Sequence, residues 1–204
     1  GAHRATARKA GAPMAIATVE TKRYTVDDLA DWPDDGKMRE LVDGQIVEWG
    51  MTSVRHASLG ALLTIVIGTY VRERRLGRVM DGEGTVSILG SEYHARKFDI
   101  AFYRRGRIPR NVDAAATTVA PDLVIELLSP TDRVAMVEAK IEDWLQTGVA
   151  LLWYINPQTG TTTVYHDGTI RRVPAGELLD GADVLPGFQV RLQDLLDELA
   201  DDEE

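Results

Sequence analysis

The longest periodic pattern in the chain lies between residues 56 and 75. Leu59, Leu62, Leu63, Val66, Ile67, Tyr70 and Val71 recur at the spacing that places them on one face of a helix. Thr52 or Ser53 supplies an N-cap, and Gly77 supplies the stop. A second helical pattern runs from about Asp132 to Thr147, with Val134, Val137, Ile141, Trp144 and Leu145 as its apolar stripe and Gly148 as its end. A short helix, VDDLADW, is capped by Thr25 and stops before Pro33. The remaining runs read as strands. MRELVDGQIVEW at 38–49 is a hairpin, because Asp43-Gly44 suits a turn in which both residues take positive φ. That turn pairs Val42 with Gln45 and Glu40 with Val47. TVSIL at 85–89, FDIAFY at 98–103, DLVIELL at 122–128 and ALLWYIN at 150–156 are further strands, and 161–173 is a second hairpin. FQVRLQDLL is a strand fragment followed by a closing helix, and 104–120 is a long loop. Strand, helix and strand between 122 and 156 form a βαβ unit, so its two strands are expected to be parallel. The pattern contains neither repeat nor linker. It predicts an α/β class fold, one domain over 21–196 built on a mixed β-sheet flanked by helices, with an N-terminal β-hairpin.

Composition changes this picture only at the edges. Residues 1–20 are basic, rich in small residues and aperiodic, which reads as a disordered extension or expression remnant with Met14 as the natural start. Residues 197–204 read as an acidic tail. From Asp194 onward there are seven acids and no bases, so the formal charge of −9 falls to −2 without that segment. Such a balance argues against non-specific coating of nucleic acid, yet leaves room for a local basic patch. The absence of cysteine excludes disulfides and thiolate metal sites and suits a reducing, cytoplasmic setting. No apolar stretch reaches the roughly 20 residues of a membrane span by this reading.

Candidate chemistry centres on Glu126, a carboxylate inside a run of branched apolar residues. A buried charge is costly unless it is paired, protonated or bound to a cation. Strand alternation puts Glu126 with Val124 and Leu128, and puts Asp99 with Ala101 and Tyr103, opposite Phe98, Ile100 and Phe102. If the two strands are neighbours, both carboxylates project from one side, and a proton or cation must relieve their repulsion. Lys140 borders the stripe of the following helix and can reach back to them. Two carboxylates and a lysine suit a hard cation such as magnesium, with the lysine orienting water or neutralising charge at a phosphoryl centre. Blander readings stand beside this one. Asp99 can cap a strand or pair with Arg96 or Arg104. Lys140 can face Asp143 on the helix surface. Glu126 can form a structural ion pair with Lys140. His56 is a polar first-turn residue or a phosphate contact at a helix N-terminus. Arg96, Lys97, Arg104, Arg105, Arg107 and Arg110 bracket Asp99, either to neutralise phosphates or as a solvated loop. Trp144, Trp153 and Tyr154 belong to the core.

The stretch from about Tyr24 to Leu196 resembles the Uma-type restriction-endonuclease family, within the PD-(D/E)XK nuclease superfamily. The resemblance is carried by RELVDGQIVE at 39–48, His56, FDIAFY at 98–103, PDLVIELLSPTDR at 121–133, Lys140, GVALLWYINP at 148–157 and DVLPGFQVRLQDLL at 183–196. It implies a restriction-endonuclease-like core and cleavage of DNA phosphodiester bonds. It also implies magnesium or manganese held by Asp99 and Glu126, Lys140 as the superfamily lysine, and Glu40 as an extra acid near the metal. Charge and placement, rather than the family pattern, make His56, Arg96, Lys97, Arg104 and Arg105 the candidate substrate-binding residues. The chain departs from the pattern at Leu128, where the superfamily places its lysine. Phe98 stands where a proline often precedes the aspartate, and Arg39 where an aromatic residue precedes the glutamate. An open sheet and a duplex substrate favour a homodimer. The alternative is a catalytically silent nuclease-fold module for binding or assembly.

Overall fold

The computed structural model describes residues 22–201 apart from 51, 83, 109 and 112. The expected N-terminal extension lies outside the described residues. Thr25 forms a capping box with Asp28 and starts α1 (Val26–Ala30). The hairpin follows as β1 (Arg39–Val42) and β2 (Gln45–Glu48) in the expected register, with Asp43 at φ 51 and Gly44 at φ 81. Of the two candidate caps, Ser53 accepts the His56 N–H and opens α2 (Val54–Glu73). Then come β3 (Gly77–Asp81), β4 (Thr85–Ser87), a 3-10 turn (Ile88–Gly90), β5 (Ala95–Lys97), β6 (Ile100–Arg104) and β7 (Leu123–Leu127). The chain continues through α3 (Val134–Thr147), β8 (Leu151–Ile155), β9 (Thr162–His166), β10 (Thr169–Val173), β11 (Leu178–Asp180), β12 (Gln189–Arg191) and α4 (Leu192–Asp201).

Six strands make the central sheet in the order β10-β9-β8-β7-β6-β3. It is mixed: β7 and β8 run parallel across the α3 crossover, and the other neighbours are antiparallel. A second, antiparallel sheet has the order β2-β1-β5-β4. The strand period of two divides β7 between two cores. Leu123, Ile125 and Leu127 pack with Leu59, Leu63 and Ile67 of α2 and with Leu192 and Leu195 of α4. Val124 packs with Ala101, Tyr103 and Trp144 on the α3 side. Every residue of β7 is buried, as an apolar run at the centre of a sheet requires.

Several expectations are corrected. Phe98 does not share the Ile100–Phe102 face. β6 begins at Ile100, so the chain bends at Asp99 and Phe98 packs against Trp144 on the other side. The stripe of α3 is narrower than its periodicity suggests: Val134 and Leu145 are exposed, and the buried helical residues are Lys140 and Trp144. The run 85–89 is a strand only to Ser87, because Leu89 takes a left-handed φ of 51. β3 and β5 fill stretches without a clear strand pattern. α2 is 20 residues long and apolar enough to cross a membrane, contrary to the composition reading. Its Leu59, Leu63, Ile67 and Val71 are instead buried against the sheet.

Gly77 does not stop α2, which ends at Glu73, but opens β3 opposite Arg104. A Cβ there would collide with the Tyr103 carbonyl oxygen and approach the Phe102 ring. Gly68, in mid-α2, has open space where a Cβ would sit. Gly77→Ala should lower the unfolding free energy by about 1–3 kcal/mol. Gly68→Ala should raise it by about 0.5–1 kcal/mol through helix propensity. Urea titration of both variants checks this pair, and a silent Gly77→Ala would contradict the packing described.

Candidate active site

The antiparallel register of β6 and β7 pairs Ile100 with Ile125, which places Asp99 opposite Glu126. The bend at Asp99 lets its Oδ2 accept the Leu127 N–H at 2.7 Å. Glu126 is 4% exposed, and both of its oxygens are occupied. Oε2 accepts from Lys140 Nζ at 2.8 Å and Oε1 from Trp144 Nε1 at 2.8 Å. Lys140 and Trp144 stand four apart on α3, so one helical face delivers both donors. Glu40, fully buried on β1, brings the second sheet to the same point. Its Oε1 lies 3.0 Å from Lys140 Nζ and accepts the Lys97 N–H at 2.9 Å. Its Oε2 accepts from Arg96 Nη1 at 2.9 Å.

The network continues outward. Arg96 Nε donates to Asp143 at 2.6 Å, and His94 Nε2 lies 2.9 Å from the same carboxylate oxygen. On the other flank, His56 Nε2 in the first turn of α2 lies 3.4 Å from Asp99 Oδ1. Trp49 roofs the cluster, with Lys140 Nζ 5.0 Å from its ring centre. A cleft lined by Trp49, His56, Asp99, Glu126, Lys140 and Tyr154, among others, opens onto these groups. His56 Nδ1 and Trp49 Nε1 are buried there without partners among the described residues.

Electrostatically, three carboxyl groups, Asp99, Glu126 and Glu40, crowd the one ammonium of Lys140. Burial pushes Glu126 up to about 8, Asp99 and Glu40 add to that rise, and Lys140 opposes it. Burial disfavours the charge on Lys140, yet Glu126, Glu40 and Asp99 together raise its pKa. Burial also pushes Asp99 up, but His56, Lys140 and the Leu127 N–H outweigh it and hold the carboxyl below its usual range.

Asp99, Glu126, Lys140, Glu40 and His56 are thus brought together. Arg96 is also here, but it is 3% exposed and committed to Glu40 and Asp143 rather than facing solvent. Lys97 contributes its backbone N–H to Glu40. Arg104 and Arg105 are not here. They lie at the other end of β6, where Arg104 pairs with Asp122 and Asp183. Sequence reasoning missed Trp144 as a hydrogen-bond donor, although its spacing from Lys140 was a usable signal. It also missed Asp143 as the partner of Arg96 and Trp49 as the roof. Nothing local announces either of those contacts. Among the described residues no group of three or more His, Cys, Asp or Glu side chains is arranged to hold a metal ion.

A mixed sheet flanked by helices, with a hairpin bringing a further acid to its centre, is a restriction-endonuclease-like core. The chain belongs to the Uma2 family, described as "Putative restriction endonuclease", which it matches over residues 26–193. Among solved structures it is similar to one described as a putative nuclease belonging to DUF820, from Anabaena variabilis ATCC 29413. The TM-score is 0.74 at 24% identity, over 86% of this chain and 98% of that one, a likeness of fold. No curated protein matches the chain.

Removing one partner of a buried ion pair strands the other. Lys140→Ala should therefore lower stability by about 3–5 kcal/mol in chemical denaturation. An effect below about 1 kcal/mol would place Lys140 in water. The outer pair titrates separately. Asp143 raises the His94 pKa above 6.5, so that contribution is complete below pH 6.5 and disappears as pH rises through the folded value. His94→Gln should therefore cost more stability at about pH 5.5 than at about pH 8.5. Equal costs at both would contradict the His94–Asp143 contact.

Proposed function

We propose that the protein is a metal-dependent endonuclease that hydrolyses DNA phosphodiester bonds. The observation that carries this reading is the convergence of Asp99 and Glu126 from adjacent strands with Lys140 held between Glu126 and Glu40. The donors fit magnesium or manganese by chemistry: hard carboxylate oxygens of Asp99 and Glu126 meet in one cleft, and a bound cation would favour the ionised form of Glu126 that burial disfavours. Magnesium typically takes one or two protein carboxylates and fills its other positions with water and phosphate, so a three-ligand protein cage is not required. Asp99 and Glu126 would hold the cation, with Glu40 close behind. When bound, it supplies Lewis acidity and makes a bound water more acidic.

The chain's own groups do the rest. Lys140, fixed by two carboxylates, presents an ammonium that orients the attacking water or neutralises charge gathering on the phosphoryl oxygens. Arg96 donates to Glu40 and holds that carboxylate in place, as does the Lys97 N–H. His56, beside Asp99 on the rim of the cleft, would face the scissile phosphate. We take the protein to act as a cytoplasmic homodimer away from membranes, in keeping with a cysteine-free chain and a duplex substrate.

A second reading has its own support: each of the three carboxylates already holds protein donors, which suits a silent module locked by ion pairs. Nicking of supercoiled plasmid separates the two. With magnesium or manganese the wild type should nick, and Asp99→Ala should reduce the rate by at least about 100-fold. Lys140→Ala, tested well below its melting temperature, should lose a similar factor. Equal rates in all three proteins, or no nicking by any, would sink the nuclease reading.

A further inference from the structure

α2 links two ends of the molecule. Its first turn holds His56 beside Asp99, and its last turn carries Arg72, sixteen residues and about 24 Å further along the axis. There the helix end, the edge strand β3 and the turn after β6 line an open groove of about 620 Å³. Four arginines line it: Arg72, Arg75, Arg78 and Arg105. All four are exposed, and among the described residues none takes part in an ion pair. Their neighbours differ. Arg74 pairs with Glu73, Arg104 with Asp122 and Asp183, and Arg107 with Asp122. The charge at the C-terminal end of α2 accounts for Arg72 and Arg75, which lie within a turn of it. It gives no reason for Arg78 on β3 or Arg105 beyond β6. Four guanidinium groups set together without carboxylates repel one another and stand out in a chain of net charge −9. Thr64 and Gly68 floor the groove with small side chains, which leaves it open to a bulky anion.

We infer that this groove binds the phosphodiester backbone of duplex DNA at a distance from the bond being cut. This rests on the DNA substrate proposed above. Guanidinium forks match phosphate oxygens and carry no sequence information, so the groove would set the position of the duplex rather than read its bases. About 24 Å along α2 corresponds to roughly seven base-pair steps, a separation within the length of a short duplex.

The test is fluorescence anisotropy of a labelled duplex over a salt series, with EDTA present so that cleavage does not enter. It compares wild type with Arg72→Gln, Arg78→Gln and the double variant. The slope of log affinity against log salt should fall by about 0.9 for each arginine that holds a phosphate. In plasmid nicking the double variant should raise KM and leave kcat within about twofold. Wild-type binding with the same slope in all variants would overturn the groove and leave the nuclease reading standing. The expected slope changes in a protein that nicks nothing would support the groove while that reading fails. If inorganic phosphate raises the wild-type melting temperature but not the double variant's, with duplex slopes unchanged, the groove takes a free anion and the inference is overturned.

Discussion

The burial of Glu126 constrains the rest of the structure. A carboxylate at 4% exposure in the central strand is satisfied from outside its own sheet: its cross-strand partner Tyr154 makes no hydrogen bond to it, and both of its oxygens are met by α3. α3 has to lie where Lys140 and Trp144 reach both oxygens. The ammonium of Lys140 then needs a second carboxylate, which fixes the hairpin through Glu40. Glu40 in turn requires Arg96, and Arg96 requires Asp143 on the same helix that carries Lys140. The chain of ion pairs closes on itself and clamps the small sheet to the large one. A hydrophobic replacement would hold the layers at less electrostatic cost, so the retention of so many charges points to a use for them.

Much of the fold was legible from pattern. The hairpin register, the parallel β7–β8 pair and the span of α3 followed from local signals: Asp43-Gly44, a crossover of helical length, and Gly148 as a left-handed stop at φ 95. The errors have local causes as well. One bend at Asp99 moved Phe98 to the other face, and the same bend let the carboxylate cap the Leu127 N–H. Val134 and Leu145 fitted the helical period but not the width of the contact. Asp99 and Glu126 could be suspected because each is a carboxylate inside an apolar strand, and Lys140 because it borders the stripe of the helix that follows. Arg96 could not be placed, because its partners Glu40 and Asp143 lie 56 and 47 residues away and nothing in its own segment marks it as buried.

The two ends of α2 frame how such a molecule could meet a long anion. At one end the charges are paired and buried around a cleft. At the other, arginines are exposed and left without carboxylates. The acidic stretch that begins at Asp194 makes the overall balance more negative, so on the inference drawn above attraction for a polyanion would be local to that groove and depend on salt.

The central claim is that Glu126 and Asp99 form a cation site rather than a closed ion-pair lock. Calorimetric titration of manganese tests it directly. Wild type should give a saturable binding heat, and Glu126→Gln and Asp99→Asn, both checked for native melting, should lose that binding. Absence of manganese binding in the wild type, or binding undiminished in both variants, would contradict the account.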